Sequence, residues 1–164
     1  MSKSPAQQPK WNIYESSLLL ETYLKCKNLN SVARKPYLEE LSHNLRKIAV
    51  NKGLTIDETY RNFNGMTLQM GAMECLFTGK QTFKPSKMFI KTYKMYMNNR
   101  SAFYIILSDA YRMIDNTFDF TSLENMSREY NLFVQDYDFT LSPADIDRLI
   151  VSKDFRPTKK GTLF

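Results

Sequence analysis

Apolar residues return every third or fourth position over most of the first 115 residues, which is the spacing of one helical face. The clearest run is about 35–52, where Leu38, Leu41, Leu45 and Ile48 keep step, Pro36 suits the first turn and Gly53 follows as a left-handed cap. Before it, Asn12 and Glu15 form a capping-box pair that opens a helix to about Lys27. Leu19, Leu20, Tyr23 and Leu24 make its buried side, and Trp11 is placed to pack back on the first turn. After it, Thr55 with Glu58 repeats the box and predicts a short helix, broken at a polar corner by Asn62, Asn64 and Gly65. Met66, Met70, Met73 and Phe77 mark the next helix, closed by Gly79, so that 55–79 reads as a helix-turn-helix-like corner. Ser86 caps a helix with Phe89, Ile90, Tyr93 and Met97 inward. Ser101 caps another to about Asp115, apolar on several sides as a central helix must be.

From Asn116 the pattern weakens. Thr121 with Glu124 offers a cap for a short helix, 131–141 alternates through Val134, Asp136, Tyr137, Asp138 and Phe139 as an extended segment does, and Ser142-Pro143 opens a last short helix to about Val151. The expected architecture is all-α: a compact bundle of about six helices over 10–115 with a small C-terminal α/extended appendage over 116–151. A leader at 1–9 and a tail at 152–164 are expected to be mobile.

Composition supports this reading. The chain has 164 residues, 43% of them hydrophobic, with five Gly and six Pro, which suits one helical domain with a packed core. Charge is uneven: residues 1–100 hold 16 Lys and Arg against 7 Asp and Glu, a net +9, whereas 101–164 hold 7 against 10, a net −3. A basic field of that kind favours polyanions, nucleic acid before an anionic membrane surface. No run approaches the roughly 18 apolar residues of a membrane span. Two cysteines without an apolar N-terminal run suggest a reducing, cytoplasmic setting for a soluble protein.

Candidate chemistry is sparse. A Cys–His pair would have to join Cys26 or Cys75 to His43, but both cysteines fall in amphipathic helices where small hydrophobes are buried. His43 alone makes a poor metal site. Asp136/Asp138 and Asp145/Asp147 have the one-residue spacing of paired metal ligands, yet Asp145 suits a helix N-terminus without any metal. With no phosphate loop and no zinc spacing, the expectation is a protein without catalytic residues, metal or cofactor.

Nucleic-acid binding matches the residue types better. Asn and Gln can pair with adenine and Arg with guanine, and Arg61, Asn62, Asn64 and Gln69 cluster at the corner. Lys80, Lys84, Lys87, Lys91 and Lys94 could then follow phosphates, with double-stranded DNA ahead of RNA as partner. Structural roles compete: Asn62 as a cap, Asn64-Gly65 as a turn, and the three methionines as adaptable core packing. By the corner reading, replacing Arg61 and Gln69 by Ala lowers affinity without unfolding the protein.

The runs Leu18-Leu-Leu-Glu-Thr-Tyr-Leu-Lys25, Glu40-Leu-Ser-His-Asn-Leu-Arg46, Arg61-Asn-Phe-Asn-Gly65 with Gln69, and Ser86-Lys-Met-Phe89 resemble a small helical module at the N-terminus of bacterial restriction-type proteins, including HNH and McrA-like endonucleases. The resemblance spans about three-fifths of the chain. It implies an accessory module in contact with DNA, with Arg61, Asn62, Asn64, Gly65 and Gln69 as signature positions. No HNH domain follows, so recognition without cleavage is implied. A second use for such a small basic protein is as a phage or mobile-element inhibitor, of the anti-restriction or anti-CRISPR type, acting by protein contacts on a nucleic-acid-processing defence protein.

Overall fold

In the computed structural model, which describes residues 9–125, α1 (Ile13–Cys26) starts where its capping box demands: Asn12 Oδ1 accepts from the Glu15 amide at 2.9 Å and Glu15 Oε1 from the Asn12 amide at 3.1 Å. α2 (Ser31–Asn51), α3 (Phe63–Thr78), α4 (Lys87–Asn98) and α5 (Arg100–Ile114) follow, and a sixth helix begins at Leu123. The described residues form an all-helical bundle without a strand. The segments read as extended at 131–141 and helical to Val151, with both acidic pairs, lie outside the described residues.

α1 is the hub of the bundle, packed against each of α2, α3, α4 and α5. It can be so because eight consecutive residues, Ile13 to Leu20, are buried, and Ser16 and Ser17 are small enough to let neighbouring backbones approach. The apolar pattern points instead to α5 as the central helix; its Phe103, Ile106, Leu107 and Ala110 are indeed buried, but Tyr111 is exposed. A ladder of rings joins four helices: Tyr23 stacks on Phe77 at 4.8 Å, Phe77 meets Tyr93 edge-on at 4.9 Å, and Tyr96 meets Phe103 at 5.0 Å. Trp11 packs edge-on against Phe89 of α4 at 5.4 Å.

Several boundaries shift for local reasons. α2 begins at Ser31, because Asn30 accepts from the Ala33 amide, and runs through Pro36. Gly53 at φ +91° and Gly79 at φ +80° are the left-handed terminators expected. The short helix expected from Thr55 does not form. Asp57 Oδ1 accepts from the Thr59 and Tyr60 amides, and Arg46 donates to the Asp57 and Tyr60 carbonyls, so the segment's polar groups are used in turns. The bend lies at Arg61, φ +47°, and Asn64-Gly65 belongs to the first turn of α3. α5 is capped by Asn99, not Ser101, leaving almost no loop after α4. Met97, expected inward, is exposed.

Candidate nucleic-acid interface

The structure separates the nine residues that the sequence grouped. Arg61 is 4% exposed. Its guanidinium donates to Glu15 Oε1 at 3.0 Å, to Glu15 Oε2 at 3.1 Å and to the Pro9 carbonyl at 2.9 Å, and lies 4.8 Å from the Trp11 ring centroid and 4.7 Å from that of Tyr60. A fork–fork pair caged by two rings satisfies a buried arginine and closes the entrance to α3 on the start of α1. It also takes Arg61 away from any base, which corrects its place in the corner. Burial and the Glu15 carboxylate push the Tyr60 phenol above its ordinary value.

Asn62 is the N-cap of α3, its Oδ1 accepting from the Gly65 amide at 2.9 Å. Gly65 keeps that cap open, since a Cβ there would stand 3.2 Å from the same oxygen. Asn64 is exposed, but Gln69, five residues on at 100° per residue, points about 140° away from it. Of the four corner residues, only Asn64 therefore lies on the open face of α3, beside Leu68, which is 54% exposed.

The lysines divide too. Lys80, Lys84 and Lys87 are exposed, in the α3–α4 loop and at the first turn of α4. Lys91 and Lys94 are 1% and 3% exposed, which withdraws both from a phosphate-tracking stripe. Burial lowers the Lys91 ammonium pKa to about 8.

What sequence reasoning missed is the seat of that loop. Phe83 returns over Gly71 in the middle of α3, and a Cβ at position 71 would fall 2.6 Å from Phe83 Cε2 and 2.9 Å from Cδ2. Asn64, Leu68 and Gly71 recur at i, i+4 and i+7, so Phe83 continues the open stripe of α3. The signal was present: a glycine inside a helix marks a close approach. The outcome is an exposed stripe of Asn64, Leu68 and Phe83, with the exposed Lys80 and Lys84 in the same loop as Phe83 and Lys87 at the start of α4, none of these lysines making an ion pair among the described residues.

The arginines of the same half are occupied elsewhere. Arg34 donates to the Cys26, Lys27 and Leu29 carbonyls, closing the C-terminus of α1, and Arg46 holds the 57–60 turn. Arg100 donates to the Tyr96 carbonyl and stacks on that ring at 3.8 Å.

A small concavity lies between α1, α2 and α5, with a volume of about 30 Å³, room for one or two waters. Glu21, Glu40, Tyr37 and Tyr111 line it. The Tyr111 hydroxyl donates to Glu21, and its shielding, that hydrogen bond and the Glu21 and Glu40 charges hold its pKa well above the ordinary value. His43 is on the α2 surface and both cysteines are buried. Among the described residues no three His, Cys, Asp or Glu side chains are grouped to hold a metal, and no helix is long and apolar enough to cross a membrane.

No family model, curated protein or solved structure matches the chain.

Proposed function

We propose that this protein is a non-catalytic nucleic-acid-binding module, related in use to restriction and defence systems, that works through the α3–α4 loop. The observation that carries this reading is the division of labour among the cations. Arg34, Arg46 and Arg61 are spent on carbonyls and a buried carboxylate, whereas Lys80, Lys84 and Lys87 stand in solvent beside an aromatic ring. Exposed lysines close together repel one another, and a phosphate backbone relieves that repulsion while releasing counterions. DNA is the partner that the corner's residue types suggested, and Asn64 is the one member of the corner left on the open face to touch a base.

The test is a fluorescence-anisotropy titration against labelled 20-mers at about 50 and 200 mM salt. Binding is expected to weaken steeply over that range, and replacing Lys80, Lys84 and Lys87 by Ala is expected to lower the log–log salt slope by about 0.7–0.9 for each phosphate that is no longer neutralised. Absence of binding at the lower salt would sink the reading.

One observation favours a second reading, an inhibitor of a defence nuclease acting by protein contacts. Tyr104, Ile105 and Tyr111 are exposed along one side of α5, and tyrosines are common anchors at protein interfaces. Its mark is inhibition of a purified nuclease that persists at high salt, without nucleic-acid binding by the protein itself.

A further inference from the structure

We infer that Phe83 is a stacking platform for an unpaired base, which makes single-stranded nucleic acid the preferred ligand of the α3–α4 surface; this rests on the nucleic-acid reading above. Apolar rings in a small bundle are normally buried, and Trp11, Tyr23, Phe77 and Phe89 all pack in or against the core. Phe83 does not join them. It is 39% exposed in a loop of polar and basic residues, Gly79-Lys-Gln-Thr-Phe-Lys-Pro85.

A ring on a surface loop is ordinarily a poor platform, because stacking a base on it must first immobilise it. Here Gly71 removes that obstacle. The missing Cβ lets the Phe83 ring settle against the α3 backbone, so one side of the ring is held while the remainder stays in water. Leu68 extends the apolar surface by one turn, and Asn64 one turn further offers an amide to a base edge. Lys80 and Lys84 flank the ring in sequence by three residues and one, and Lys87 opens α4. An aromatic ring in a lysine-bearing loop, with no recognition helix bearing a free arginine among the described residues, is the arrangement by which proteins hold single strands: bases stack and lysines follow the backbone. A duplex keeps its bases stacked on one another and has none to give Phe83.

The experiment compares a labelled dT20 with a 20-base-pair duplex by anisotropy at about 50 mM salt, using the wild-type chain, Phe83→Ala, Phe83→Trp and Gly71→Ala. The wild type is expected to prefer dT20. Phe83→Ala is expected to lose about 5- to 150-fold in affinity for dT20, the range for one stacked base, with the salt slope unchanged because every lysine facing a phosphate is still in place. Phe83→Trp retains binding, and its added indole fluorescence is quenched by dT20. Gly71→Ala, which favours the helix yet displaces the ring, loses affinity while melting close to the wild type.

Equal affinity of wild type and Phe83→Ala for dT20, or tighter binding of the duplex, overturns the platform while leaving the lysine surface intact. Failure of every variant and the wild type to bind either ligand removes the functional reading and the platform with it.

Discussion

The loop that enters α3 and the loop that leaves it both carry cations and rings, but they use them in opposite ways. At the entrance, Arg61 lies in a cage of Glu15, Trp11 and Tyr60; at the exit, Lys80, Lys84 and Lys87 stand in solvent in the same stretch of chain as the partly exposed Phe83. Arginine's fork satisfies a buried carboxylate and two rings at once, so it can be packed away; an ammonium is a compact, strongly hydrated charge and is cheaper left in water. Net charge alone does not separate these uses. A count that adds Arg61 to Lys84 overstates the positive surface offered to a partner.

The sharpest way to break this comparison is at Arg61. Arg61→Ala leaves Glu15 buried without its partner and is expected to cost about 3–5 kcal/mol by urea denaturation. A loss near zero would show that the entrance is not a lock, and would return Arg61 to the surface reading.

Next is the contrast within α4 between Lys91 and Lys87. Burial lowers the Lys91 pKa to about 8, so above that pH, up to the ordinary value of about 10.5, the unfolded chain binds a proton that the folded chain has released. Stability therefore rises with pH across that window, and the penalty for the buried charge is complete below it. Relative to Lys91→Met, the wild type is expected to gain on the order of 1–2 kcal/mol between about pH 7.5 and 9.5 in denaturant titrations. Lys87→Met, at an exposed site, is expected to leave the unfolding midpoint unchanged, and a Lys91→Met curve parallel to that of the wild type would contradict the burial of Lys91.

A smaller effect belongs to Asn62. Asn62→Ala removes the α3 cap and is expected to cost about 1 kcal/mol, read as a drop in melting temperature that Asn62→Asp does not show. Equal losses in both variants would mean that the cap does not act through its side-chain oxygen. The smallest is at the exit loop: Lys84→Ala is expected to leave the unfolding midpoint unchanged, and a clear drop would mean that this lysine too is part of the scaffold.

Local sequence determined much of this molecule. The Asn12–Glu15 box, the Ser86 cap, the left-handed Gly53 and Gly79 and the buried stripes Leu38–Leu41–Leu45–Ile48 and Met66–Met70–Met73 were legible because caps, glycine conformations and helical periodicity act within four residues of the chain. Tertiary structure decided the rest, wherever a side chain had more than one possible partner. Thr55 and Glu58 could have capped a helix, but Arg46, brought from α2, took the carbonyls of that segment. Arg61 met Glu15 across 46 residues, and Phe83 came to rest on Gly71, twelve residues back. Lys91 and Lys94 keep helical step with Lys87 and yet lie buried. Each of these outcomes depends on which backbone or ring stands opposite in space, and short-range periodicity carries no record of that.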